Sequence, residues 1–208
     1  MSSIDWPSEL VPAEAEPGIK FNTQISVSDL SGYVQTVELP GARWSMSIRM
    51  PTLERDGEAS IMEAFIASLR GQAVRAVITM FKRGTPLGTW AGAPAVNNEV
   101  GSPTLSQTGN SLEVNGFTAG ATFKRGDYFN LGSGGQLLIV TADGVADGSG
   151  LATISFQPSI RTAPAHGTLL VSASPKVPLM ILTDPHPRWR ILAGDDNQFA
   201  LDFVEVFA

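Results

Sequence analysis

His166 and His186 are the only imidazoles in this chain of 208 residues, and it has no cysteine, so the chemistry open to it is narrow. A histidine-pair metal site needs i, i+2 or i, i+4 spacing, or a third ligand close by. His166 stands in Ala165-His166-Gly167 and His186 in Asp184-Pro185-His186-Pro187, turn-like settings that offer neither. No metal and no other cofactor is expected. A serine nucleophile requires a histidine base and a Gly-x-Ser-x-Gly elbow. The Gly132-Ser133-Gly134 and Gly148-Ser149-Gly150 stretches lack that pattern and read as flexible turns.

Carboxylates say little more. Asp143-Gly144 and Asp147-Gly148-Ser149-Gly150 resemble part of a calcium loop, but alternate oxygen ligands and the closing Glu are missing. Hairpin turns are expected there, and a solvated turn at Asp195-Asp196-Asn197. A carboxylate pair for glycoside hydrolysis depends on a separation in space that chain order does not reveal, and no pair stands out. The expectation is a protein that is not an enzyme.

Tryptophan is the remaining residue type with binding chemistry. Trp44 shares a strand face with Met46 and Ile48, which points to the core. Trp6 lies in an N-terminal stretch whose Leu10, Ile19 and Phe21 imply packing on the chain's own body or on a neighbour. Trp90 and Trp189 sit beside turn residues, where a core or subunit contact competes with stacking on a sugar.

Composition bounds the elements that must position these groups. Only 16% of residues are charged, and 21 Gly and 14 Pro mark turns between strands rather than disorder. A net charge of −6 argues against nucleic acid as the main partner, since phosphate affinity comes from Lys and Arg clusters. Lack of cysteine suits a reducing compartment. No long apolar run and no basic, apolar leader is present, so a soluble chain with no export signal and no membrane insertion is expected.

Along the chain, residues 1–27 read as an extended N-terminal arm. Residues 32–39 alternate, Pro40-Gly41 suits a type II turn, and 43–50 alternate again with Trp44, Met46, Ile48 and Met50 on one face. A hairpin of 33–39 with 43–50 is expected. One helix follows at about 60–70, with Ser60 and Glu63 forming a capping box (Asp56 is the alternative N-cap if the helix starts one turn earlier), Met62, Phe65, Ile66 and Leu69 as one stripe, and Gly71 at the C-terminal stop. Beyond residue 95, short strands recur at 111–117, 136–142, 151–157 and 168–173 between turn residues. A final hairpin joins 188–192 to 198–207, and its apolar strand is expected to complete the first sheet, because it would be an aggregation-prone edge alone.

Strand, strand, single helix, strand and then an inserted β-domain is an order that resembles the distal tail proteins and related tail-tip ring proteins of long-tailed bacteriophages. Short phrases carry the same resemblance: Pro40-Gly41-Ala42-Arg43-Trp44, Leu69-Arg70-Gly71, Lys124-Arg125-Gly126-Asp127, Asp147-Gly148-x-Gly150 and Pro158-x-x-Arg161. It implies a mainly β fold: a tube-like β-sandwich or split barrel with one packed helix, carrying an inserted small all-β barrel or sandwich. The corresponding organisation is an arm (1–27), a ring-forming domain (28–94 plus 176–208) and an insertion (95–175).

The resemblance further implies a virion protein assembled in the host cytoplasm. It would form a hexameric ring between the tail tube protein and the tail hub or tip proteins, leaving a passage for DNA. An acidic lumen would avoid retarding a passing genome. Arg43 and Arg49 cut against that unless a neighbour's carboxylates pair them. Subunit-interface or lumen candidates are Trp6, Arg43, Arg49, Trp90 and Trp189. Two other readings stay open: a carbohydrate-binding module presenting Trp90 or Trp189 to a cell-surface glycan, and a polysaccharide hydrolase.

Overall fold

The computed structural model describes residues 2–99, 107–192 and 196–207. In chain order the first elements are β1 (Ser3–Asp5), β2 (Glu14–Val27), β3 (Val34–Arg49), β4 (Leu53–Glu54), a π-helical turn (Arg55–Ala59), α1 (Ser60–Leu69) and β5 (Arg75–Thr79). Short strands follow: β6 (Gly92–Val96), β7 (Gly109–Phe117), β8 (Thr122–Phe123), β9 (Tyr128–Leu131), β10 (Leu137–Val140), β11 (Gly144–Val145), β12 (Ala152–Ile160) and β13 (Leu170–Val171). The last three are β14 (Lys176–Leu182), β15 (Trp189–Ile191) and β16 (Asp196–Glu205). The protein is mainly β with one α-helix among the described residues, as expected.

Two sheets carry the fold. The first runs β1-β5-β14-β16-β3-β2, with β4 and β15 also pairing β16; the second runs β13-β9-β10-β12-β7-β6. β16 alternates Phe199, Leu201 and Phe203 inward with Ala200 and Asp202 outward, and it pairs with both β3 and β14. The expected return of the last strand to the first sheet is therefore found. Its pairing with β15, Trp189 opposite Phe199, gives the expected final hairpin; the turn residues Gly194 and Asp195 lie outside the described residues.

The expected hairpin about Pro40-Gly41 is not formed. Residues 34–49 make one strand, and its partner is β2, from Glu14↔Arg49 at one end to Val27↔Val34 at the other. Much of the presumed arm is thus a sheet strand. Pro40 and Gly41 sit in a register shift where the step from Lys20 to Asn22 spans Arg43 back to Leu39. Gly41 takes φ +108°, Pro has no ladder N–H to give, and Asn22 Nδ2 donates to the Pro40 carbonyl at 3.2 Å, so the pair makes a bulge instead of a turn.

α1 buries Met62, Phe65, Ile66 and Leu69, the expected stripe. Ser60 does not begin the helical run, because the π-turn precedes it without a break. The residue before α1, Ala59, makes no side-chain cap, and Ser60 has helical backbone angles (φ −63°, ψ −37°), so it does not hold the N-cap position expected of it. At the other end Arg70, not only Gly71, takes the left-handed conformation, and its N–H returns to the Ala67 carbonyl at 3.1 Å. No helix among the described residues is long and apolar enough to cross a membrane.

Each sheet has its own apolar core. One gathers α1, Trp6, Trp44, Met46, Ile48, Ile78 and Phe203; the other gathers Trp90, Phe117, Phe123, Phe129, Ile154 and Phe156. Polar bonds bridge them. Trp44 Nε1 donates to the Leu137 carbonyl at 2.9 Å, and the Asn130 amide exchanges bonds of 2.7 and 2.9 Å with the Lys176 backbone.

Candidate functional site

Every residue from 20 to 40 is exposed, although 15 of them lie in β2 or β3. Directly opposed residues of an antiparallel pair share a face. One face of this ribbon therefore carries Ile25 opposite Thr36 and Val27 opposite Val34; the other carries Gln24 opposite Val37 and Asn22 opposite Leu39. Apolar side chains stand on both faces with nothing beneath either: Phe21, Ile25, Val27, Val34 and Val37 are each more than half exposed. At the tip, Ser28 N–H donates to the Tyr33 carbonyl and Leu30 is 100% exposed. A two-stranded ribbon is marginal by itself in water. This one projects about 30 Å beyond the bulge, at about 3.3 Å per residue.

A groove of about 700 Å³ lies at the ribbon's foot, bounded by Pro40 and Gly41, by Ile160 at the end of β12 and the next four residues to Pro164, and by Val206 and Phe207 after β16. Arg161 forms its polar centre. Its Nη1 and Nη2 lie 2.8 and 2.6 Å from Glu205 Oε1 and Oε2, and Nη2 also donates to the Ala42 carbonyl at 2.9 Å. Glu205 is buried and accepts the Trp44 N–H at 2.9 Å. The guanidinium carbons of Arg161 and Arg43 lie 4.2 and 4.8 Å from the Phe207 ring centroid, within cation–π range. Arg161 Nε is buried with no hydrogen-bond partner among the described residues.

The residues singled out from sequence are not brought together. Trp6 is buried, donates Nε1 to the Leu10 carbonyl at 2.8 Å and packs edge-on against Phe65 and Phe81. Arg43 rests on Phe207. Arg49 stands 3.9 Å from Glu14 of its own chain, both well exposed, a pair worth little in stability. Trp90 is not a surface stacking platform: it is 6% exposed, enclosed by Phe117, Phe123 and Phe129, with Nε1 bonded to Asp127 at 2.8 Å. Trp189 is 38% exposed and stacks on Phe199 beside a groove of about 500 Å³ lined by Arg49, Arg188 and Arg190.

Asp127 deserves its place in the Lys124-Arg125-Gly126-Asp127 phrase. Buried at 2% exposure, its carboxylate accepts from the N–H groups of Leu87, Gly88 and Lys124 as well as from Trp90. It fixes the 84–92 loop; it is a structural anchor with no access to a ligand. Asp147 closes the expected turn by accepting from Ser149 N–H, Ser149 Oγ and Leu151 N–H. His166 accepts from Asn98 N–H at 3.3 Å and faces Glu99 at 3.6 Å, while His186 sits in an exposed turn. No group of three or more His, Cys, Asp or Glu that could hold a metal occurs among the described residues.

The ribbon and the Arg161–Glu205 joint escaped the sequence reading. A signal was present for the ribbon: Asp29 is the only charge from Phe21 to Val37, too few for a stretch bathed in water on both faces. The joint pairs residues 44 positions apart, beyond any local pattern. Compared with known proteins, the chain matches no family model and no curated protein.

Proposed function

We propose that this chain is a structural component of the tail tip of a long-tailed phage, one protomer of a hexameric ring that joins the tail tube to the baseplate or tip proteins and lets DNA pass. The observation that carries the reading is the ribbon of residues 20–40, exposed along its whole length with apolar side chains on both faces. Such a ribbon is stabilised by burial against another surface. The same chain also presents the outer edge of β2 to solvent, and a repeated head-to-tail contact closes into a ring when its rotation fits. The resemblance in element order and phrases supplies the phage tail setting. Its partners in that setting are its own copies, the tail tube protein and the hub or tip proteins; catalysis, membrane insertion and base-specific DNA binding have no part in it.

Glycan binding loses one of its two platforms, since Trp90 is enclosed. The test of the ring reading is native mass measurement with negative-stain imaging of the purified protein. A discrete six-membered annulus is expected. Ile25→Ser, Val27→Ser and Val37→Ser together should leave the fold intact and shift the population to smaller species. A monomer that persists at high concentration, with or without the substitutions, sinks the reading.

A further inference from the structure

We infer that the ribbon tip of one copy, Leu30 with Asp29 and Tyr33, seats in the groove beside Arg161 and Phe207 of the next copy. The inference rests on the ring reading for its second copy and adds the contact that would link protomers.

Tip and groove match in chemistry. Leu30 is wholly exposed and Tyr33 is 78% exposed, so nothing in their own chain covers them. The groove walls are largely apolar, with Ile160, Pro178, Leu179, Val206 and Phe207 among them, and its volume of about 700 Å³ is in the range of occupied pockets. Charge also matches. At the groove two guanidiniums, Arg43 and Arg161, gather on Phe207 against one carboxylate, Glu205. The tip brings one carboxylate, Asp29, the only charge from Phe21 to Val37.

Geometry names the occupant. Pro40 and Gly41 line the groove and also form the foot of the ribbon. The tip therefore stands about 30 Å from its own groove, at about 3.3 Å per residue, and continuous pairing from Asn22↔Leu39 to Val27↔Val34 holds it away. No tip reaches the groove of its own chain. Tip into foot, copy after copy, is a heterologous contact in which each protomer gives one tip and receives one.

The chain has no cysteine, so the contact can be tested with two introduced thiols. Leu30→Cys and Thr162→Cys, both at exposed positions, are made singly and together, and assembled protein is treated with a short bismaleimide. The double variant should give a covalent ladder ending at the ring's copy number, while each single variant stays uncrosslinked. Asp29→Lys should raise the concentration for half-assembly at least about tenfold, because it sets like charges against each other. Tryptophan emission of each variant reports that the cores are intact. An annulus with no ladder overturns the tip contact and leaves the ring reading standing. A ladder from an open filament upholds the contact and overturns ring closure. Crosslinked dimers from Leu30→Cys alone would mean tip-to-tip pairing and overturn the contact, and an uncrosslinked monomer overturns both.

Discussion

Arg161 meets Glu205 as a two-pronged ion pair, 2.8 and 2.6 Å, across the joint between the two sheets. Arg161 follows β12 in the second sheet and Glu205 ends β16 in the first, so one interaction couples the two cores. It also holds the Trp44 N–H and the Ala42 carbonyl at the foot of the ribbon.

Breaking this pair from one side strands a charge in a place closed to water. Arg161→Met should destabilise the protein by about 3–5 kcal/mol, since it leaves the Glu205 carboxylate buried without its counter-charge. Arg161→Met with Glu205→Gln should recover much of that loss, because Gln still accepts from Trp44. Urea midpoints at one fixed protein concentration read both. Equal losses for the single and the double variant would show that the charge pair is not what the joint relies on.

Asp127→Ala leaves four donors without an acceptor, including the Trp90 indole. At about 1–3 kcal/mol for each stranded buried donor, partly relieved by water, a loss above about 3 kcal/mol is expected. Trp90 emission should shift to the red, and amide exchange at Gly88 should quicken. Unchanged emission would mean the loop is held by its other contacts.

Two glycines with similar φ separate strain from crowding. Gly116 (φ +83°) would place a Cβ 2.5 Å from the Ala93 carbonyl oxygen, whereas Gly126 (φ +89°) has nothing within 4 Å. Gly126→Ala should cost about 1–2 kcal/mol, the left-handed penalty alone. Gly116→Ala should cost clearly more, because β6 must move from β7. Similar melting temperatures for the two variants would contradict this.

Acid should act on the turns of the second sheet. Asp147 is held below the usual carboxylate range chiefly by the Ser149 hydroxyl, and Asp143 chiefly by the Arg125 N–H. A lowered folded pKa means that the unfolded chain binds more protons across this range. The stabilisation is thus present above the ordinary carboxylate value of 3.8 and is lost as pH falls through the lowered folded values. Asp147→Asn and Asp143→Asn should lower the melting temperature near neutrality and flatten its fall in acid. Tyr128 works at the other extreme: burial raises its pKa, so stability drops as pH climbs past 10.0, and Tyr128→Phe should remove that limb.

Local patterns were legible where one face of an element meets a core. The stripe of α1 and the alternation in 43–50 and in β16 could be read because burial repeats at the period of the element, whereas the turn at Asp147 was legible from its Asp and Gly residues. The ribbon could not, since a strand pair exposed on both faces has no buried period to display. Pro40-Gly41 misled for a related reason: the dipeptide suits a turn and a bulge alike, and only the partner strand decides between them.

From the sequence alone came the mainly β class, the single helix with its inward residues, and the return of the last strand, all consequences of side-chain pattern within short windows. Tertiary structure decided which strands pair, that Trp90 is enclosed, and that Arg161 finds Glu205. Those outcomes depend on contacts between residues far apart in the chain, where the free energy of burial and charge pairing is set by a partner that no local spacing can name.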